Sequence, residues 1–164
     1  MKKALTICAL LLVTIAFGQE TRKAFTLEIA ANEKEQYVSE IDESPYFVKE
    51  KIIQLYCGEK VLIECEINKD TIASMKVVTE NKNPKRTIEI EFTQNAENRK
   101  EISTMLMVKN PFNKRLSYNA IMLTPMSQKW SQTSILPIEP NLMGLEMWPH
   151  PIVSLALEKW RFEE

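Results

Sequence analysis

The sequence predicts an all-β fold: a single sandwich of eight or nine antiparallel strands, following a cleaved leader. Three observations carry this. Apolar and polar residues alternate with period two over Phe25–Ile29, Val61–Ile67 and Thr87–Thr93. A strand with one buried face has that repeat, whereas a helix would scatter these residues around its circumference. Clusters of Asn, Asp and Pro punctuate the runs at short intervals, as closely spaced strands require. Finally, the chain has 164 residues, of which 146 follow the leader, a size that suits one domain with one core.

The elements follow in chain order. Lys2 and Lys3 precede an apolar run of 14 residues, Ala4 to Phe17, broken only by Thr6 and Thr14. Ala16 and Gly18 supply the small side chains that a signal peptidase needs for a cut before Gln19. The run is shorter than the roughly 20 residues that span a bilayer. Residues 1–18 are therefore expected to be a signal peptide, and the protein to be exported, periplasmic or secreted. Cys8 lies inside the run, so it is not expected to carry a lipid anchor. No second long apolar run follows, so no membrane span is expected after cleavage.

Residues 19–164 are expected to form the sandwich domain, with 19–45 as an N-terminal extension carrying one edge strand. The acidic stretch Glu33 to Glu43 reads as a surface loop or a short helix. Strands are expected at Phe47–Cys57, Val61–Ile67, Ile72–Thr79, Thr87–Thr93, Glu101–Lys109, Leu116–Leu123, Lys129–Leu136 and Ile152–Phe162. Val61, Ile63, Ile88, Ile90, Leu106 and Val108 are the expected core, with Glu64, Glu66, Glu89 and Glu91 on wet faces. Asn68-Lys69-Asp70, Asn81–Pro84, Asn95–Asn98 and Asn110–Asn113 supply turns, because Asn and Asp tolerate left-handed backbone and Pro cannot continue a central strand. A hairpin across Gly58-Glu59-Lys60 would set Cys57 opposite the start of the next strand and Cys65 near its far end. At about 3.3 Å per residue the two would miss each other. Two core thiols are favoured over the bridge that export would permit.

The stretch Pro137 to Pro151 breaks the rhythm with four prolines, which fix the backbone and remove amide donors. It reads either as a crossover closing the core with Leu142, Leu145 and Trp148, or as a presented recognition loop.

Several chemistries are excluded. Beyond the leader the chain has 19 basic and 22 acidic residues, a charge of about −3, so it has no positive field to hold nucleic acid. Only Gly58 and Gly144 remain, too few for a phosphate-cradling loop. With the single histidine His150 and two cysteines, no zinc set is expected. No Gly-x-Ser-x-Gly elbow exposes a serine beside a histidine base. No catalytic residue, metal or cofactor is expected. Among the tryptophans, Trp160 alternates with Phe162 and reads as core, while Trp130 sits in polar company and reads as exposed. Met105, Met107, Met122, Met126, Met143 and Met147 cluster in the second half, as either an adaptable core or a partner surface.

At Val108-Lys-Asn110-Pro111-Phe112-Asn113-Lys114-Arg115-Leu116-Ser-Tyr118 the chain resembles bacterial immunoglobulin-like sandwich domains, in which a strand ends in an Asn-Pro turn with a charged tip and an aromatic-bearing strand follows. The resemblance runs from about Val61 to the C-terminus, with gaps. It implies an immunoglobulin-like architecture and carries over no site residue. The two cysteines depart from the antibody-type pair, being only eight positions apart.

The function expected is that of an exported, non-enzymatic binding module. Its candidate contact residues are Trp130, Leu145, Met147, Trp148 and His150, where a protein partner would dock on the loop or along an open sheet edge. The alternatives are a glycan-binding or envelope-associated module using exposed aromatics, and an inhibitor of a secreted hydrolase.

Overall fold

The computed structural model describes residues 20–127 and 129–163; the signal peptide expected over 1–18 lies outside them. All regular structure among the described residues is strand. In chain order the strands are β1 (Thr21–Arg22), β2 (Phe25–Ala30), β3 (Gln36–Ile41), β4 (Ser44–Pro45), β5 (Phe47–Lys49), β6 (Ile52–Tyr56) and β7 (Lys60–Asn68). There follow β8 (Thr71–Val78), β9 (Thr87–Asn95), β10 (Ser103–Lys109), β11 (Arg115–Leu123), β12 (Ser131–Thr133), β13 (Met143–Trp148) and β14 (Ser154–Glu163).

Two five-stranded antiparallel sheets form the sandwich, one ordered β13-β10-β9-β7-β8 and the other β12-β11-β14-β6-β5. Period-two alternation turns one face of each strand inward. Val61, Ile63 and Cys65 of β7, Ile88, Ile90 and Phe92 of β9, and Leu106 and Val108 of β10 are all buried. They share a core cluster with Ile53 and Leu55 of β6, Leu116 of β11, and Leu155 and Leu157 of β14. Truncating a residue such as the fully buried Phe92 would cost about 3–5 kcal/mol. A bulge in the β11–β14 ladder between Ser117 and Asn119, with Lys159 at φ 56°, lets Tyr118 stack on Trp160 at 4.5 Å.

The remaining strands form two small pairs, β1–β4 and β2–β3. The β2–β3 hairpin docks through buried Leu27 and Ile29. The Gln94 side chain joins it to β9: the Ala30 amide donates to its Oε1 at 2.8 Å and its Nε2 donates to the Ala30 carbonyl at 3.0 Å. β1 is fixed by Arg22, only 3% exposed. Its guanidinium reaches both Glu59 carboxylate oxygens at 2.8 and 3.2 Å and the Gln54 carbonyl at 2.5 Å, between the faces of Tyr46 and Tyr56. A buried charge needs such pairing and hydrogen bonding to be tolerated.

Several expectations are corrected. The two sheets hold ten strands rather than eight or nine, and the small pairs add four more. The acidic stretch Glu33 to Glu43 is neither loop nor helix, because it contains β3, held by full pairing to β2. The expected strand over Phe47–Cys57 divides at Glu50-Lys51, where Lys51 takes φ 54°. Lys129–Leu136 shrinks to β12. Gly58-Glu59 does not close a hairpin: β6 and β7 belong to different sheets. The turn at Gly58 (φ 98°) carries the chain across the core, donating the Gly58 amide to the Phe92 carbonyl at 2.7 Å. Cys57 and Cys65 are free and buried, and burial pushes each thiol up to about 12.

Candidate interaction edge on strand β13

The stretch Pro137 to Pro151 holds an edge strand. β13 pairs with β10 along its whole length, from Thr104–Trp148 to Lys109–Met143, and has no other strand neighbour among the described residues. Its alternation sends Gly144, Glu146 and Trp148 to the side of the inward-facing Thr104, Leu106 and Val108, and Met143, Leu145 and Met147 to the outer face.

The inward side anchors the strand. Trp148 is 8% exposed, and its indole donates to Thr133 Oγ1 of β12 at 2.8 Å, joining the edges of the two sheets. Gly144 sits against Ile138, where an added Cβ would lie 2.7 Å from two side-chain carbons, so only glycine lets the strand approach this closely. Ile138 exchanges both backbone hydrogen bonds with Leu116. Glu146 accepts from the Leu136 amide at 2.8 Å. Beyond the strand, Thr104 Oγ1 donates to the His150 carbonyl and accepts from the Ile152 amide.

The outer side is open. Met143, Leu145 and Met147 are 56%, 56% and 62% exposed. Met147 lies opposite Met105, and Leu145 opposite Met107, on β10. The result is a contiguous apolar stripe of five side chains on the outer face of an unpaired margin. Exposed apolar groups are ordinary when scattered, whereas a large contiguous patch makes a candidate interaction surface. Unbranched Met side chains can also repack around different partners.

The five residues expected to make contact are distributed unevenly. Leu145 and Met147 share the outer stripe. Trp148 is on the same strand with its ring turned inward. His150 is partly buried just past the strand, and its Nδ1 lies 3.3 Å from the Pro151 carbonyl. The cleft beside His150 has Ser103, Glu33 and Glu101 in its lining, but no side-chain hydrogen bond reaches the imidazole among the described residues. Trp130, 42% exposed, belongs to the connection entering β12 in the other sheet. Met143, at the start of the Met143–Pro151 contact region that the sequence suggests, and Met105 and Met107 on β10 complete the stripe. The signal for them was the methionine cluster together with the period-two pattern of Met143, Leu145 and Met147.

No three His, Cys, Asp or Glu side chains group to hold a metal among the described residues. No helix among them is long and apolar enough to cross a membrane. The chain matches no family model, no curated protein and no solved structure.

Proposed function

We propose that this chain is an exported, non-enzymatic interaction module with an immunoglobulin-like sandwich, and that it captures an extended segment of a protein partner along β13. The observation that carries the proposal is the stripe of Met143, Leu145 and Met147 on an edge strand, continued by Met105 and Met107 on β10. Strand addition at such an edge takes affinity from main-chain hydrogen bonds and selectivity from alternate side chains. Here the alternate positions offer apolar contact on one side only. Natural sheets blunt edges that are not used, with charge, proline or bulges; β13 has no proline and no register shift, and its one charge, Glu146, turns inward to the Leu136 amide rather than onto the outer face.

The other readings have less to stand on. A glycan platform built from tryptophans needs two exposed rings, and Trp148 and Trp160 are buried, which leaves Trp130. An inhibitory wedge needs a projecting loop, and residues 143–148 are a paired strand.

The test is site-specific photo-crosslinking in the producing cells, with the reactive residue at position 145 and, as a control, at position 76 on the opposite edge of the same sheet. A discrete cross-linked product mapping to one segment of one protein is expected from position 145 and not from 76. Loss of that product in Met147→Lys, with the melting transition unchanged, would localise capture to the stripe. No product from 145, or identical products from both positions, would sink the proposal.

A further inference from the structure

The loop Asn110–Lys114 builds a second, separate feature at one end of the sandwich. Asn110 is 1% exposed, and its side-chain amide donates to the carbonyls of Lys114, Ile138 and Glu139 at 2.8, 3.0 and 3.1 Å. Its Oδ1 accepts from the Phe112 amide at 3.0 Å. The Asn141 amide donates to the Phe112 carbonyl at 2.9 Å. One buried side chain therefore locks the β10–β11 loop to the segment that enters β13, and both loops hold fixed positions.

These loops border a cleft of about 470 Å³, within the range of small-molecule sites. Its floor is apolar: Phe112 and Phe162 meet edge to face at 5.0 Å, with Ile67 and Pro111 beside them. Among the described residues its charged lining is cationic, made of Lys69, Lys85, Arg86 and Lys114. Lys114 pairs with Asp70 outside the lining. Among the described residues no ion pair holds Lys69, Lys85 or Arg86. Arg86 lies close enough to Glu64 to help lower its pKa, but without a salt bridge. A chain with 22 acidic residues against 21 basic thus gathers four cations around one apolar floor, three of them without an ion-pair partner among the described residues. An organic anion would complete this arrangement, its charged head meeting the cations and its body displacing water from the two phenylalanine rings.

We propose that this cleft binds a small organic anion: a carboxylate, sulfonate or phosphate monoester carried on an aromatic or short acyl body. The site is distinct from β13, and the proposal does not depend on strand capture.

The test uses anilinonaphthalene sulfonate as the probe, followed by fluorescence titration of the folded chain at near-physiological ionic strength. Inorganic sulfate serves as the head-only competitor and uncharged N-phenylnaphthylamine as the body-only ligand. One probe per chain is expected, with each half binding about tenfold more weakly or worse. The double variant Lys85→Gln/Arg86→Gln should weaken the probe about tenfold, since each partly screened charge contributes modestly. Leu145→Lys, on the apolar stripe, should leave probe affinity within about twofold, because a change away from the site is not felt there. The proposal is overturned if no probe binds, if the double variant binds as well as the parent, if sulfate or the uncharged relative matches the probe, or if Leu145→Lys removes binding.

Discussion

β8 and β13 are the two margins of one sheet, and they meet solvent differently. On the outer face at β8, Lys76 pairs with Glu64 at 3.0 Å, Ser74 donates to Glu66 at 2.9 Å, and a register shift between Glu66 and Ile67 distorts the ladder. On the outer face at β13 stand Met143, Leu145 and Met147, backed by Met105 and Met107. Between the margins the surface grades from charged to apolar through Glu89 and Glu91 of β9, whose partners on β10 are Lys109 and Met107. Charge and a bulge protect an edge from pairing with another chain. The β8 margin carries both on or beside its outer face, whereas β13 has an unshifted ladder and keeps its one charge, Glu146, on the inward side. The difference therefore belongs to the particular residues at each margin and not to the sheet as a whole.

The largest expected effect tests whether β13 is part of the folded body or only lies on it. Trp148→Ala removes a buried ring and its hydrogen bond to Thr133, and should cost about 3–5 kcal/mol in urea unfolding. An unmoved midpoint would make β13 a loosely attached flap, and the two margins could no longer be compared as equals. A smaller effect is expected from making β8 resemble β13. In Lys76→Met/Ser74→Leu both changes are on exposed positions, so stability should shift by no more than about 0.5 kcal/mol. The variant should nonetheless gain concentration-dependent self-association in sedimentation velocity. If it stays monomeric at every concentration, charge is not what protects that edge.

The smallest expected effect concerns the protecting charge itself. A hydrogen bond from Asn83 first, and then Lys76, holds the Glu64 carboxyl below its usual 4.5. Because the folded value lies below the unfolded one, the associated stability is present above about pH 4.5 and is lost as pH falls through the folded value. Asn83→Ala should move the Glu64 titration up towards 4.5, as read by carboxyl NMR. A curve that does not move would assign the shift to Lys76 instead.

The central strands are legible in the sequence because each buries one face and leaves the other wet. Ile88-Glu89-Ile90-Glu91-Phe92 could be read directly, and the structure buries its three apolar members. β3 was hidden because its pattern is muted: it alternates exposed with half-buried residues and owes its form to β2. β13 was hidden for a different reason. Its amphipathicity is inverted, with Met and Leu outward and Gly144 and Glu146 inward, and prolines flank it. The alternation that predicts a strand was present, but not in the expected orientation. Leu145 and Met147 were legible as candidate contacts, whereas the inward turn of Trp148 depended on register. Arg22 gave no local signal, since its partner Glu59 is 37 positions away. The basic cleft could not be read as a unit either, because its cations come from segments that only the fold brings together.

The buried Asn110 has a consequence for chemical ageing. Asparagines deamidate most readily when the next residue's backbone nitrogen attacks the side-chain amide to close a ring. Here the next residue is Pro111, whose nitrogen carries no hydrogen to lose, so that route is blocked. Conversion to aspartate would replace an amide that donates to three carbonyls with a carboxylate that repels them. The pairing with proline thus closes that deamidation route at a side chain that ties the two loops together.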